Sequence, residues 1–151
     1  MVITFSGVLT GILLTPVIGA IIILLLDKES KEQARIIAAL ATGVCLLLAL
    51  GVFFGYNVDE ANAVNGEGGP YFAFEDHVKW IESVGISYHL GVDGISAPMV
   101  LLTAIAGFTG VLISWGIDER TREFMAFFLL LVAGVFGVFL AVDLFVLFFF
   151  Y

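Results

Sequence analysis

Four stretches of this chain, residues 2–26, 36–55, 97–117 and 125–142, each run for at least 18 residues without one charged side chain. A bilayer core about 30 Å thick takes about 20 apolar helical residues to cross. Lipid offers no water to bond exposed amides and carbonyls, so a spanning segment must satisfy its own backbone as a helix or in a closed barrel. Runs of this length without strict alternation mean helices. The expected fold is an all-α membrane protein, a polytopic transmembrane helix bundle. Composition agrees: 61% of residues are hydrophobic and 13% charged, against about 25% charged in soluble domains. Before the first run there is no basic n-region, and no cleavage site follows it, so it reads as a retained helix and not a leader.

A further run, Leu144–Tyr151, follows Asp143 and covers roughly 12 Å, well short of a bilayer. It reads as a truncated span over 144–151. The sequence therefore reads as four complete spans plus the start of a fifth, the N-terminal part of a larger membrane protein.

Orientation follows from Lys and Arg, which are retained on the cytoplasmic side. Lys28, Lys31 and Arg35 lie between spans one and two, Arg120 and Arg122 between spans three and four. Loops 27–35 and 118–124 are thus expected to be cytoplasmic, and the N terminus and the segment 56–95 external, most simply in a bacterial cytoplasmic membrane. Tyr56 and Trp115 suit the headgroup region at opposite faces. Gly7 with Gly11, Gly51 with Gly55, and Ala133, Gly137 and Ala141 form small-residue steps that let helices approach closely. Pro16 should kink span one and free a carbonyl for a neighbour to satisfy. Cys45 has no second thiol to pair with and reads as a small packing residue.

The external loop 56–95 is Gly- and Asn-rich over Asn62–Pro70. Ile86, Tyr88, Leu90 and Val92 then alternate with Ser87, His89, Gly91 and Asp93, the period of a half-buried strand. A short external β-hairpin is expected. After it Asp93-Gly94 turns the chain, with Ser96 and Pro98 as start signals for span three.

Motifs of soluble catalysis are missing. There is no phosphate-cradling glycine loop, no Cys-x-x-Cys and no His-Glu-x-x-His. Glu75, Asp76, His77, His89 and Asp93 fit no recurrent metal-ligand spacing. The acidic residues read as a hydrated face, His77 as solvated and His89 as hydrogen-bonded within the hairpin; no metal or cofactor site is expected in this chain. The charge of −8 gathers largely in one connecting segment and points to no nucleic-acid role. Asp143, between consecutive apolar runs, reads either as a helix-start residue favoured by the dipole or as part of a proton path. Ser6, Thr10, Thr42, Thr103 and Thr109 are hydroxyls able to line a hydrated route or to serve packing alone.

The run GISYHLGVDGIS, preceded by Trp80-Ile81, and the later run GVFGVFLAVDLFVLFFFY resemble the matching stretches of chain M, the chain-four type, of proton-translocating NADH:quinone oxidoreductase, respiratory complex I. The resemblance covers the whole chain. It implies a membrane-arm subunit of a respiratory translocase that carries protons while electrons pass from NADH to quinone elsewhere. NADH, flavin, iron-sulfur clusters and quinone would belong to other subunits, and the partners would be other membrane subunits and the lipid bilayer. In the family a glutamate follows the aromatic run ending here in Tyr151 and works with lysines on later helices; neither is in this sequence. By the same resemblance the hairpin residues, His89 and Asp93 among them, are candidates for subunit contact. Two other readings stay open at this stage: a subunit of a multisubunit cation/proton antiporter, or a structural membrane protein.

Overall fold

The computed structural model describes residues 7–56 and 72–151. Helices α1 (Val8–Leu25) and α2 (Lys31–Gly55) come first, then an antiparallel hairpin of β1 (Ala73–Ile81) and β2 (Ile86–Val92). Helix α3 (Ser96–Ile113) ends in a 3-10 turn at Ser114–Gly116, and α4 (Thr121–Leu140) and the short α5 (Leu144–Phe150) follow. The four long helices have the length and apolarity needed to cross a membrane. The expected helical bundle with a small hairpin is what the chain forms.

Helix ends differ from the uncharged runs in an informative way. α2 begins at Lys31 and not at 36, and α4 at Thr121 and not at 125. Loss of charge marks the hydrocarbon slab, whereas the hydrogen-bonded helix continues beyond it, with Glu32 and Glu123 in first turns where the dipole favours acids. At its far end α4 stops at Leu140, short of 142, because the next residues are taken by the hairpin: Ala141 forms a bridge to Leu90, and the Val142 amide donates to the His89 carbonyl at 3.0 Å. The Asn62–Pro70 stretch and residues 2–6 of the first run lie outside the described residues.

Helix α1 packs chiefly against α2 and α4, and α2 in turn against α3. Outward-facing positions are large and apolar (Ile18, Leu25, Leu47, Leu131), while the inward stripe of α2 is small: Ala34, Ala38, Ala41, Thr42, Cys45, Ala49 and Val52. This is the packing expected where lipid removes any hydrophobic drive between helices and close approach must supply the attraction. The small-residue steps read from the sequence are only partly those used. Phe150 of α5 packs directly onto Gly137, where a Cβ would have no room. By contrast a Cβ on Gly51 would meet nothing within 4 Å, and one on Gly11 only ordinary contact with Leu48. Gly19 is the tighter step in α1, since a Cβ there would sit 3.0 Å from that of Ala41.

Pro16 sits inside α1 and cannot donate to the carbonyl of Ile12. Cys45 of α2 faces that carbonyl with its Sγ at 3.6 Å. The buried thiol thus supplies a weak donor where proline removed a strong one.

At the end remote from the hairpin two arginines tie the loops together. Arg35 of α2 donates to the Ile117 carbonyl at 3.1 Å and to Asp118 at 2.7 Å, and Arg122 of α4 donates to the Leu26 carbonyl at 2.8 Å. Asp118 is 75% exposed, so its ion pair contributes little, and the carbonyl bonds to the half-buried guanidinium groups do most of the holding. Loops 26–30 and 117–120 therefore adjoin.

Replacing Gly137 with Val should destabilise the full-length protein by about 1–3 kcal/mol through overpacking against Phe150. Gly51→Ala should be neutral or stabilising by about 0.5–1 kcal/mol, since only helix propensity changes. Thermal unfolding in detergent measures both.

Candidate functional site at the hairpin face

The hairpin is part of the core and does not merely lie on the bundle. Leu90 and Val92 are fully buried in one cluster with Leu9, Val52, Val100 and Phe136. Its turn passes through Gly85 at φ 74°, a left-handed conformation that glycine adopts without steric cost. Strand β1 carries a bulge: Ala73 pairs with Val92 but Asp76 with Leu90, so β1 uses one more residue than β2 between these pairs. Phe74 takes up the extra residue in the left-handed region at φ 55°, a costly conformation for a bulky side chain. The bulge reverses the alternation, so that Ala73 and Asp76, which a regular strand would put on opposite faces, are both buried.

Asp76 is therefore not on a hydrated face, as the sequence suggested, but fully buried at the start of α1. Its Oδ1 accepts from the Gly7 amide at 2.8 Å, and its Oδ2 from the Thr10 amide at 2.9 Å and the Thr10 hydroxyl at 2.7 Å. Gly7, the N-cap residue of α1, has no side chain with which to cap. The carboxylate of a distant strand performs that task, satisfying amides at the positive end of the helix dipole. Thr10 also lies 3.3 Å from the Tyr88 hydroxyl, whose phenol burial pushes above its ordinary range.

The next two acids act in the same way on other helices. Asp93 Oδ1 accepts from the amides of Ile95 at 3.0 Å and Ser96 at 2.6 Å, while the Ser96 hydroxyl accepts from the Asp93 amide at 2.8 Å. This is a reciprocal capping box in which Asp93 is the cap and Ser96 its partner, the reverse of the role expected for Ser96. Asp143, the N-cap residue of α5, accepts from the Phe145 amide at 2.7 Å with Oδ1 and from the Ser87 hydroxyl at 3.1 Å with Oδ2. These bonds to the charged form, the Ser96 amide foremost for Asp93 and the Phe145 amide for Asp143, hold both carboxyls below the usual carboxylate range.

His89 stands directly opposite His77, with ring centroids 4.7 Å apart. Its Nε2 lies 3.7 Å from Glu75 Oε1, too far for a hydrogen bond, and is buried without a partner. The hydrogen bond expected of this ring is thus not made at Nε2; the residue bonds through its backbone carbonyl to Val142. His77 is half-buried against it and not freely solvated.

Four hydroxyls of the proposed hydrated route fall within the described residues. Thr42, Thr103 and Thr109 donate to carbonyls of their own helices, those of Ala38, Met99 and Ile105, so they serve the backbone. Thr10 alone among them bonds across elements, to Asp76; Ser6 lies outside the described residues. An apolar groove of about 350 Å³ between α3 and α4, with Leu102, Phe128 and Val135 in its lining, offers no free polar group, since its Thr103 is bonded to Met99. The chemistry-bearing residues therefore gather at one end of the bundle. Asp76, which reading the sequence missed, is the most deeply placed of them, and only the bulge could have signalled it.

No family model matches the chain. Among curated proteins, it is 39% identical over 145 residues, 95% of its length, to NADH-quinone oxidoreductase subunit M of Pseudomonas aeruginosa. It is 34% identical over 146 residues to subunit M of Escherichia coli K12, and 32% identical over 142 residues to the chloroplastic NAD(P)H-quinone oxidoreductase chain 4 of Chara vulgaris. The chain is a homologue of subunit M. It spans about 28% of the length of those relatives. A solved archaeal respiratory membrane complex, the membrane-bound sulfane sulfur reductase, contains a chain of the same fold, with a TM-score of 0.71 and 24% identity over 96% of this chain and 28% of that one. Similarity to subunit M extends over nearly the whole sequence, so the region it shares with those proteins takes in the hairpin as well as the bundle.

In this subunit M homologue, Asp76→Ala should cost about 1–3 kcal/mol by leaving the first amides of α1 unsatisfied. Hydrogen exchange at the Thr10 amide should rise, whereas Glu82→Ala, at the exposed turn, should leave it unchanged. The lowered carboxyls set a pH window. The Asp93 and Asp143 caps are fully effective above the ordinary carboxylate value of about 3.9 and are lost as pH falls through their lowered values. Exchange at the Ser96 and Phe145 amides, corrected for its intrinsic rate, should therefore stay flat from neutral pH down to about 5 and rise only in stronger acid.

Proposed function

We propose that this chain is part of a membrane-arm subunit of a proton-translocating NADH:quinone oxidoreductase, coupling electron transfer from NADH to quinone with proton movement across the bilayer. The observation that carries this reading is the 39% identity to subunit M over 145 residues. The chain oxidises nothing itself in this proposal. Flavin, iron-sulfur clusters and quinone belong to other subunits, and the neighbouring partners are other membrane subunits of the complex.

Orientation follows from the basic loops: 27–35 and 118–124 cytoplasmic, the hairpin and N terminus external, in a bacterial cytoplasmic membrane. The two loops are joined by Arg35 and Arg122, which supports placing them on one side. Within the complex the hairpin is the contact surface. His89 and Asp93 face their own chain, so the exposed Trp80, Val84 and Ile95 are the residues of this region that offer apolar area to a neighbour. Asp143 is assigned the lesser role of helix cap beside the proton route, because both its oxygens are engaged.

Tagging the full-length protein in its native host and purifying it intact tests the assignment. Co-purification with NADH:quinone reductase activity is expected; a well-solubilised complex without it overturns the reading. Asp143→Asn should lower proton pumping in proteoliposomes by about twofold or less, since an amide oxygen still accepts the Phe145 amide as an N-cap. Lost pumping with normal assembly would instead make Asp143 a carrier.

A further inference from the structure

Three buried side-chain nitrogens among the described residues have no hydrogen-bond partner: Nε of Arg35, Nε of Arg122 and Nε2 of His89. The two guanidinium groups are held through their other nitrogens and stay charged at any relevant pH. His89 is different because imidazole changes charge near neutral pH. It is also the residue whose carbonyl receives the Val142 amide, beside the bridge from Leu90 to Ala141 and the bond from Ser87 to Asp143. Strand β2 thus holds the junction between α4 and α5 through Ser87, His89 and Leu90, which engage the consecutive residues Asp143, Val142 and Ala141, and the titratable ring sits within that hold.

We propose that His89 is a proton-operated latch: with the imidazole neutral, β2 stays docked on residues 141–143, and protonation favours release of the strand from the start of α5. The charged groups facing the ring are Glu75 and His77 on β1 and Asp143 at the head of α5; Phe72 closes the site edge-on at 6.2 Å. Burial is the largest influence on His89 and lowers its pKa, His77 lowers it further, and Glu75 and Asp143 raise it without reversing the net direction. The docked state therefore binds the proton less well than a hydrated, released one. Docking is fully stable above the ordinary imidazole value of about 6.5 and weakens as pH falls towards the lowered value. Glu75 and His77 act on the ring most strongly in the docked, drier state, where screening is weaker. Their removal should therefore have opposite effects.

Hydrogen exchange at Val142 in the full-length protein, within its purified membrane complex, reads the latch. After correction for intrinsic exchange, opening at Val142 should rise below about pH 6.5, by up to tenfold for each unit separating the docked from the released pKa. Glu75→Gln should enlarge this rise, His77→Gln should shrink it, and His89→Gln should abolish it. If His89→Gln does not assemble, the opposed effects of the other two variants carry the test. A flat wild-type profile, a rise that persists in His89→Gln, or unchanged or same-direction effects of Glu75→Gln and His77→Gln would overturn the proposal. The window lies well above that of the carboxylate caps, so the two are distinguished in one titration.

Discussion

A carboxylate buried against the first turn of α1 holds the hairpin end of this protein together. Asp76 lies 66 residues after Thr10 in sequence, yet it receives that residue's amide and hydroxyl and the Gly7 amide. A helix that starts at a membrane boundary has amides which neither lipid nor its own backbone can satisfy. Asp76 satisfies them from another element, and so fixes the hairpin over the bundle. The bulge at Phe74, with its disfavoured backbone, is the local cost of aiming that carboxylate inward.

The same device recurs along the chain. Asp93 starts α3 and Asp143 starts α5, each accepting from backbone amides within its own segment, and Ser87 links the last of these back to β2. Three helices thus begin on carboxylates at or beside the hairpin. The opposite end is organised by cations, with Arg35 and Arg122 donating to loop carbonyls. Acids therefore meet helix starts at one end, and arginines meet the carbonyls that close helices or loops at the other. Each arrangement follows the direction of the peptide dipoles.

Between these ends the helices meet through small side chains and one unusual exchange of donors. Pro16 frees the Ile12 carbonyl, and Cys45 occupies the facing position. A protein assembled in this way is rigid where glycine and alanine bring backbones together and adjustable where a single strand holds a junction. Strand β2 at residues 141–143 is such a place. Under the proposed function, a junction between helices held by a titratable residue is a natural point of control.

The sequence by itself determined the solvent, the number of long helices and the presence of a hairpin, because the bilayer forces apolar length and internal hydrogen bonding on any chain that crosses it. Asp143 was also legible as a helix-start residue, since an N-cap acts on its own neighbours in sequence, whereas Asp93 was read as a turn residue and Ser96 as the cap, roles that the fold reverses. Asp76 was not, because its partners lie more than sixty positions away and the bulge that turns it inward breaks the very alternation from which strand faces are read. His89 was assigned a hydrogen bond that the folded hairpin does not make at Nε2, and of the glycines read as close steps Gly137 is one, against Phe150, while Gly11 and Gly51 are not and the tight step of α1 falls at Gly19. Which small residue meets a partner depends on how each helix is rotated. That rotation is decided by the packing of all the helices together, and only the tertiary structure records it.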